Sequence, residues 1–192
     1  NCLILQRRQI RPHPFGIPEN DFALLDGRVN MITKAPIRLL TLSALELGNH
    51  SCFWDIGFCT GSVSIEARLQ FPHLRVEAFE IRSQGEELMR KNSHRFGVPG
   101  IGVHMGDFLQ LDLSGIERPD AVFIGGHGGR LVEVVRRVQD VLLPGGVLVF
   151  NSVSQESQQV FRKAVKDAGM HLQDEIYVAL DKHNPITIMS AK

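Results

Sequence analysis

Apolar and polar positions follow two alternating periods along most of the chain. From residue 35 to residue 47, apolar residues recur every three or four positions until Gly48 and Asn49 interrupt them, which predicts a helix. Residues 52–56 then form an apolar run broken only by Asp55 and followed by Gly57, a pattern typical of a strand buried on both faces of a parallel sheet. Strand and helix patterns keep alternating to residue 168. This order predicts right-handed βαβ units in a doubly wound α/β sheet.

The other predicted elements continue this order. The predicted strands are residues 75–80, 102–105, 120–124 and 146–150. The predicted helices are residues 62–70, 83–96, 128–142 and 155–168. Two further strand patterns, 171–181 and 185–191, are separated by residues 182–184 alone, which is too short a connection for a parallel crossover. The last two strands are therefore expected to form an antiparallel hairpin.

Composition and charge indicate one ordinary globular domain. The 192 residues are 43% hydrophobic, enough for a single core, and 21 basic residues balance 21 acidic ones. This balance disfavours binding to nucleic acid or to anionic lipid, and no apolar run approaches the length of a membrane span. Three cysteines without a CxxC pair favour a reducing, cytoplasmic location. The eight histidines are dispersed, so no metal site is expected.

The first 18 residues differ from the rest. A short apolar stretch, residues 2–5, precedes a proline-broken and partly basic stretch, residues 11–18, and the first residue is Asn1 rather than Met. These residues are either a trimmed N-terminus or the last strand of a preceding domain followed by its linker. We favour the second interpretation. It assigns residues 1–18 to that domain end and linker, and residues 19–192 to the domain outlined above.

Candidate ligand-binding residues follow three successive predicted strands. Residues 55–61 (DIGFCTG) lead from the first strand into a helix, and glycines in such a turn let backbone N–H groups approach a ligand closely. Glu80 ends the next strand, where its carboxylate either accepts hydrogen bonds from a ribose diol or is simply solvated. Asp107 follows the third strand, where with Phe108 it either holds an adenine ring or only caps a helix. Because parallel strands open onto one crevice, the three features together indicate a nucleoside-containing cofactor.

Two sets of motifs carry a family resemblance. The first resembles class I methyltransferases that use S-adenosylmethionine, and it consists of Asp55-Ile-Gly-Phe-Cys-Thr-Gly61, Glu80, Gly106-Asp107 and the turn Leu143-Pro-Gly-Gly146. The second is similar to the T-type decarboxylating methyltransferases of cobalamin biosynthesis, and it consists of Met31-Ile-Thr-Lys34, Gly61-Ser-Val-Ser-Ile-Glu66 and Phe123-Ile-Gly-Gly-His-Gly-Gly129. The likeness covers about residues 14–192. It implies a Rossmann-like, mostly parallel seven-stranded sheet with an antiparallel C-terminal hairpin. It also implies methylation of carbon 15 of a precorrin-6 macrocycle and decarboxylation of its carbon-12 acetate.

The resemblance further implies a set of contacts to S-adenosylmethionine. The residues assigned to them are Thr33, Asp55, Gly57, Phe58, Cys59, Thr60, Gly61, Glu80, Asp107 and Phe108. Cys59 stands where the family usually has glycine, so either the loop keeps a negative φ there or the cofactor is displaced. Because no His or Lys neighbours it in the sequence, Cys59 is interpreted as a small packing residue rather than as a reactive thiolate.

A precorrin carries several anionic side chains, which require N–H donors and cations. The residues expected to bind it are Gly125, Gly126, His127, Gly128, Gly129 and Asn151. The first five lie at the predicted start of helix 128–142, where the helix dipole favours anions. His127 is the candidate catalytic residue, or else only a loop residue among backbone donors. Arg130 either assists or is merely solvated, and Ser154 after the fifth strand either faces the crevice or caps the last helix.

The resemblance also concerns partners. It implies a homotetramer, with the terminal hairpin and the N-terminal stretch as plausible interface strands, and a fused or separate E-type enzyme that methylates carbon 5. Three alternatives remain at this stage. The same fold could methylate another small molecule, or RNA or protein, although amino-group methylases carry an Asn/Asp-Pro-Pro-aromatic segment where this chain has Ile-Gly-Gly-His. A non-enzymatic nucleotide-binding module is the third, because fold does not fix function.

Overall fold

The computed structural model describes residues 15–28, 30–180 and 185–192, which form five helices and seven strands. The helices are α1 (Ala35–Ala44), α2 (Ser62–Gln70), α3 (Gln84–Phe96), α4 (Leu131–Val141) and α5 (Gln155–Asp167). The strands are β1 (Cys52–Ile56), β2 (Arg75–Glu80), β3 (Ile101–Met105), β4 (Ala121–Ile124), β5 (Val147–Ser152), β6 (Leu172–Val178) and β7 (Ile186–Ala191). The expected domain end at residues 2–5 lies outside the described residues.

The strands form one sheet in the order β3-β2-β1-β4-β5-β7-β6. The first five are parallel, whereas β7 pairs antiparallel with both β5 and β6. The predicted doubly wound sheet and the antiparallel terminal hairpin are therefore confirmed, although residues 181–184, which include the hairpin connection, lie outside the described part of the chain. The chain runs outward from β1 to β3 and then returns to the other side of β1. A ligand crevice is expected at this reversal, beyond the carboxyl ends of β1 and β4.

Burial explains why the central strands form so predictably. Every residue of β1 and of β4 is buried, because helices cover both faces of a parallel sheet. Alternate side chains of β1 point into separate apolar clusters: Trp54 packs with Phe79 on one face, and Phe53 packs with Val63 of α2 on the other. The core thus fixes the positions at which β1 and its neighbours end.

Several element boundaries differ from the sequence-based prediction, and two of these differences concern residues predicted for the site. Helix α4 begins at Leu131 rather than at residue 128, because Gly128 and Gly129 adopt positive φ angles of 54° and 83°, which an α-helix excludes. Strand β5 continues to Ser152 rather than ending at residue 150, because Asn151 pairs with Ile188 of β7. The glycine loop is therefore separate from the helix that follows it, and Asn151 belongs to the sheet.

The edge strand of the terminal hairpin is exposed. Strand β6 forms the edge of the sheet, and Tyr177 within it is 69% exposed. Across the described residues, none of the helices combines the length and the apolar character that crossing a bilayer requires.

Candidate active site

A cleft opens beyond the carboxyl ends of β1 to β4. Its empty volume, including the part that is open to solvent, is about 670 Å³. Its lining comprises Ile56, Gly57, Phe79, Glu80, Ile81, Arg82, Gly106, Asp107, Phe108, Leu109, Gly126, His127, Gly128, Arg130 and Val134. Residues predicted for the cofactor and for the substrate thus share one cavity at the reversal of the sheet.

The loops after β1 and β4 are joined backbone to backbone. Gly125 and Gly126 both donate N–H hydrogen bonds to the carbonyl of Ile56, at 2.8 and 3.2 Å. Gly57 has φ 77°, and a Cβ there would lie 2.6 Å from the backbone nitrogen of Gly126. Glycine is therefore required at residue 57 by the contact between the two loops. A valine there would displace both loops, so it would not test ligand binding alone.

Asp55 is fully buried just before this loop. One carboxylate oxygen, Oδ2, accepts hydrogen bonds from the backbone N–H and the hydroxyl of Ser64, at 3.1 and 2.5 Å. The other oxygen, Oδ1, has no hydrogen-bond partner among the described residues. Burial, and secondarily the charge of Glu80, raise the pKa of Asp55 to about 7. An unpaired buried acceptor is costly, so this oxygen is available to a cationic or hydrogen-bonding group.

Cys59 lies in the left-handed region, with φ 52°. Of the two expectations for this residue, the negative φ is wrong. Its N–H donates to Glu80 Oε2 at 2.8 Å, and its thiol donates to the carbonyl of Met31 at 3.2 Å. Burial raises the pKa of the thiol, which disfavours a thiolate and agrees with a packing role.

Glu80 ends β2 with its carboxylate almost wholly buried. Besides the Cys59 N–H, it accepts a hydrogen bond from the backbone N–H of Arg82 at 2.9 Å. The Arg82 guanidinium contacts both carboxylate oxygens, with Nη1 at 3.1 and 3.3 Å. Glu80 is therefore not a solvated strand end; it is a fixed acceptor whose outer side faces the cleft.

Asp107 divides its two oxygens between a turn and the cleft. Oδ1 accepts a hydrogen bond from the N–H of Leu109 at 3.0 Å, and Oδ2 pairs with Arg130 Nη1 at 3.1 Å. The neighbouring Phe108 ring is buried edge-to-face against Phe79, with a centroid distance of 5.2 Å. Asp107 therefore both caps the turn and lines the cleft. Phe108 forms part of the core beneath the cleft.

His127 is half-buried between the two glycine pairs. Its ring packs edge-to-face against Phe150 at 5.7 Å, and its Nδ1 is buried without a hydrogen-bond partner among the described residues. Burial lowers the pKa of His127 below its usual value, so the ring is neutral at pH 7 in the unliganded protein. Gly126 and Gly128 line the cleft beside it, and Gly125 and Gly129 flank them.

Several predicted residues lie outside the lining of the cleft among the described residues, namely Thr33, Asp55, Phe58, Cys59, Thr60, Gly61, Gly125, Gly129 and Asn151. Thr60 is buried, and its carbonyl accepts a hydrogen bond from Asn92 Nδ2 at 2.8 Å. Gly61 packs against Met89 of α3, where a Cβ would lie 2.5 Å from the sulfur. These positions shape the loop from behind.

Asn151 is placed differently from the expectation of a crevice residue. It lies within β5, and its side-chain amide bonds to Thr41 of α1, with Nδ2 to Oγ1 at 2.9 Å. Ser154, also considered for the crevice, is the N-cap of α5, since its hydroxyl accepts the N–H of Ser157 at 3.1 Å. The pairing of β5 with β7 draws Asn151 into the sheet.

A buried ion pair fixes the segment that carries Thr33. Arg38 and Glu66 are both fully buried and lie 2.5 Å apart. The Arg38 guanidinium also donates to the carbonyls of Ile17 and Thr33. The segment from residue 17 to residue 33 is thereby attached to α1 and α2.

Sequence reasoning missed Ile81 and Arg82. Ile81 follows Glu80 directly, lines the cleft and is 65% exposed, so it offers an apolar surface to a planar ring. An apolar residue just after an acidic strand end was the available signal for it. The position of the Arg82 guanidinium depends on the folded site and had no sequence signal.

Comparisons with known proteins agree with this geometry. A family model described as a precorrin methyltransferase domain matches residues 25–189. The cobalt-precorrin-6B C(15)-methyltransferase (decarboxylating) of Salmonella typhimurium is 40% identical over 137 residues, which cover 71% of this chain and 70% of that protein. A precorrin-6Y C(5,15)-methyltransferase (decarboxylating) of Sinorhizobium is 38% identical over 129 residues, which cover 67% of this chain and 31% of that protein.

A solved structure gives the same result. The crystal structure of a precorrin-6Y C5,15-methyltransferase from Geobacter metallireducens matches with a TM-score of 0.84 and 32% identity, covering 94% of this chain and 99% of that one. Fold, cleft and sequence therefore agree, and the chain belongs to the precorrin methyltransferase domain family.

Proposed function

We propose that this protein is an S-adenosylmethionine-dependent C-methyltransferase that methylates carbon 15 of a precorrin-6 macrocycle and decarboxylates its carbon-12 acetate. The observation that carries the proposal is the single cleft in which Glu80, Asp107 and the loop around His127 come together at the reversal of the sheet. Membership of the family and the named activity of the Salmonella relative support this choice of reaction.

The residues present fit S-adenosylmethionine. Glu80 offers a fixed carboxylate for two ribose hydroxyls, and Ile81 offers an apolar surface beside it. Asp107 lies where it can accept a hydrogen bond from the adenine amino group. Asp55 lies behind the loop and outside the lining of the cleft, so it supports the site by holding the start of α2 through its two hydrogen bonds from Ser64. Bound in the cleft, the cofactor supplies a methyl group on a sulfonium, and the chain contributes orientation and exclusion of water.

His127 is suited to the decarboxylation half of the reaction. When the acetate loses carbon dioxide, its remaining carbon must take up a proton to become a methyl group. Among the described residues that line the cleft, His127 is the one whose ordinary pKa lies near neutrality. It is neutral in the unliganded cleft, and the carboxylates of a bound substrate raise its pKa again, so that it can collect a proton from solvent and deliver it. Gly128, which lines the cleft beside it, offers a backbone N–H group to a substrate anion.

The proposal extends to assembly and partners. We propose a cytoplasmic homotetramer in which the exposed edge strand β6, with Tyr177, meets another copy. The free thiols of Cys52 and Cys59 agree with a reducing compartment. An E-type carbon-5 methyltransferase, fused or separate, is the proposed partner, supported by the much longer Sinorhizobium relative with its C(5,15) activity. Light scattering that shows a monomer at micromolar concentration would remove the tetramer.

Calorimetric titration with S-adenosylmethionine and S-adenosylhomocysteine tests the cofactor site. We expect both to bind the wild type. We expect Glu80→Ala to weaken binding by about 1–3 kcal/mol, because a charged acceptor is lost and two hydroxyls remain unpaired. Glu80→Gln keeps one acceptor oxygen and the side-chain volume, so its affinity should lie between those of wild type and Glu80→Ala. Glu87→Ala is the matched control, since Glu87 lies exposed on α3 and pairs with Arg90. Absence of binding to the wild type would refute the proposed function.

A further inference from the structure

Both carboxylates proposed for the cofactor are paired with arginines that line the same cleft. Arg82 contacts both oxygens of Glu80, and Arg130 contacts Asp107 Oδ2 at 3.1 Å. Both arginines are partly exposed, with 37% and 45% of their side chains accessible. Each guanidinium thus occupies the side of a carboxylate on which a ligand would arrive.

A count of acceptor sites shows what binding requires at Glu80. A carboxylate has about four lone-pair sites. Two are used inside the protein, by the backbone N–H groups of Cys59 and Arg82. The Arg82 guanidinium contacts the remaining, outer side of both oxygens. Glu80 can therefore accept a ribose diol only if the guanidinium moves away, and the 37% exposure of the Arg82 side chain leaves room for that movement into the cleft.

We propose that Arg82 binds a carboxylate of the macrocyclic substrate. In the absence of cofactor, Glu80 pairs with the Arg82 guanidinium and keeps it from the substrate. When the cofactor ribose binds Glu80, it replaces the guanidinium and frees Arg82. The inference rests on the proposed function and adds a residue that recognises the substrate. Guanidinium suits the task, because it binds a carboxylate through two parallel hydrogen bonds. In the cleft, Arg82 stands among the same lining residues as His127, so a substrate anion held by Arg82 remains within the site.

Cofactor binding would release Arg130 from its carboxylate only in part. Exchange of Asp107 Oδ2 for an adenine amino group would free its Nη1, but its Nε remains hydrogen-bonded to Glu133. Arg82 has no such second acidic partner in the described ion pairs. Arg82 is therefore the arginine whose state changes most when the cofactor binds.

The consequence is cooperative binding of cofactor and substrate. The anion site is complete only after Glu80 has exchanged partners, so cofactor should strengthen substrate binding, and substrate should strengthen cofactor binding by the same factor. This coupling is measurable without turnover. Uroporphyrin I, a tetrapyrrole with eight carboxylates, serves as the probe for the anion site.

The test compares wild type, Arg82→Ala and the control Arg90→Ala, an exposed arginine of α3 that pairs with Glu87. Calorimetry measures the affinity for S-adenosylhomocysteine. We expect Arg82→Ala to bind it about twofold to fivefold more tightly than wild type, because no ion pair must be broken. If Arg82 instead only neutralises the charge of Glu80, Arg82→Ala should bind S-adenosylhomocysteine more weakly than wild type, because an unpaired Glu80 would be a poorer binding site for the ribose.

Fluorescence titration with uroporphyrin I, with and without S-adenosylhomocysteine, measures the coupling. We expect wild type and Arg90→Ala to bind the porphyrin about tenfold more tightly with S-adenosylhomocysteine, and Arg82→Ala to bind it equally in both conditions. Three results would overturn this inference without affecting the proposed function. They are weaker binding of S-adenosylhomocysteine by Arg82→Ala, coupling retained in Arg82→Ala, and no porphyrin binding by the wild type. Failure of wild type to bind S-adenosylhomocysteine would instead refute the proposed function, and this inference with it.

Discussion

The buried carboxyl group of Asp55 makes the stability of the protein depend on pH in a way that one substitution removes. Its Oδ1 is unpaired among the described residues and its Oδ2 accepts two hydrogen bonds from Ser64. Asp55→Asn keeps the shape of the side chain and an oxygen that can accept both Ser64 hydrogen bonds. The substitution removes the ability to ionise, and it also puts an amide N–H group in place of the unpaired Oδ1, at a cost that does not depend on pH.

The magnitude follows from the shift in pKa. Burial raises the pKa of Asp55 from 3.8 to about 7, so the folded state binds a proton more tightly than the unfolded state. Between these values the folded protein carries more protons, and its free energy of unfolding falls as pH rises. A shift of about three pKa units corresponds to roughly 4 kcal/mol. Asp55→Asn should therefore gain stability relative to wild type by up to this amount between about pH 4 and pH 8.

Urea denaturation at about pH 5 and about pH 8 measures the part of this difference that lies between the two pH values, roughly 3 kcal/mol, because the unfolded carboxyl group is already ionised at pH 5. Asp112→Asn is the control, because Asp112 is exposed and hydrogen bonds from Ser114 lower its pKa. Its free energy of unfolding should run parallel to that of wild type between the two pH values. If Asp55→Asn also ran parallel to wild type, Asp55 would be ionised throughout, and the argument from its burial would be refuted.

Substitutions at three further residues test other parts of the account. His127→Ser should keep the affinity for S-adenosylmethionine and lower turnover about tenfold or more, and wild-type turnover would leave the loop as an anion-binding backbone only. Cys59→Gly should be at least as stable in urea as wild type. Cys59→Val should lose about 1–2 kcal/mol of unfolding free energy, because valine is disfavoured at this positive φ. Equal stability of the two variants would contradict the assigned backbone conformation. Arg38→Met should lose roughly 3–5 kcal/mol in the same assay, because Glu66 would remain buried without its partner; a loss below 1 kcal/mol would mean that Glu66 is protonated or hydrated instead.

Local pattern was sufficient for the central elements of the fold. The bounds of β1, β2 and α2 match the prediction, because the apolar pattern marks each element, and Gly57 and Gly61 mark the end of β1 and the start of α2. Tertiary contacts decided the rest. Gly128 was compatible with a helix start by composition but takes a left-handed conformation, and β5 extends because β7 supplies hydrogen-bond partners for residues 151 and 152.

The site shows the same division. Strand ends located Glu80, Asp107 and His127 near one crevice, because parallel topology brings such positions together. The contact between Arg82 and Glu80 and the unpaired oxygen of Asp55 depend on side-chain positions, to within a few ångströms, that only the folded chain defines. A one-dimensional pattern contains no measure of such distances.

Mass spectrometry of the reaction product tests the central claim most directly. The protein is incubated with S-adenosylmethionine and precorrin-6B, in separate reactions with the cobalt-free and the cobalt-containing macrocycle. The account predicts that one of these macrocycles gains the mass of one CH₂ unit and loses that of CO₂, while S-adenosylhomocysteine forms. The account would be contradicted if both macrocycles were recovered unchanged although the protein binds S-adenosylmethionine in the same solution.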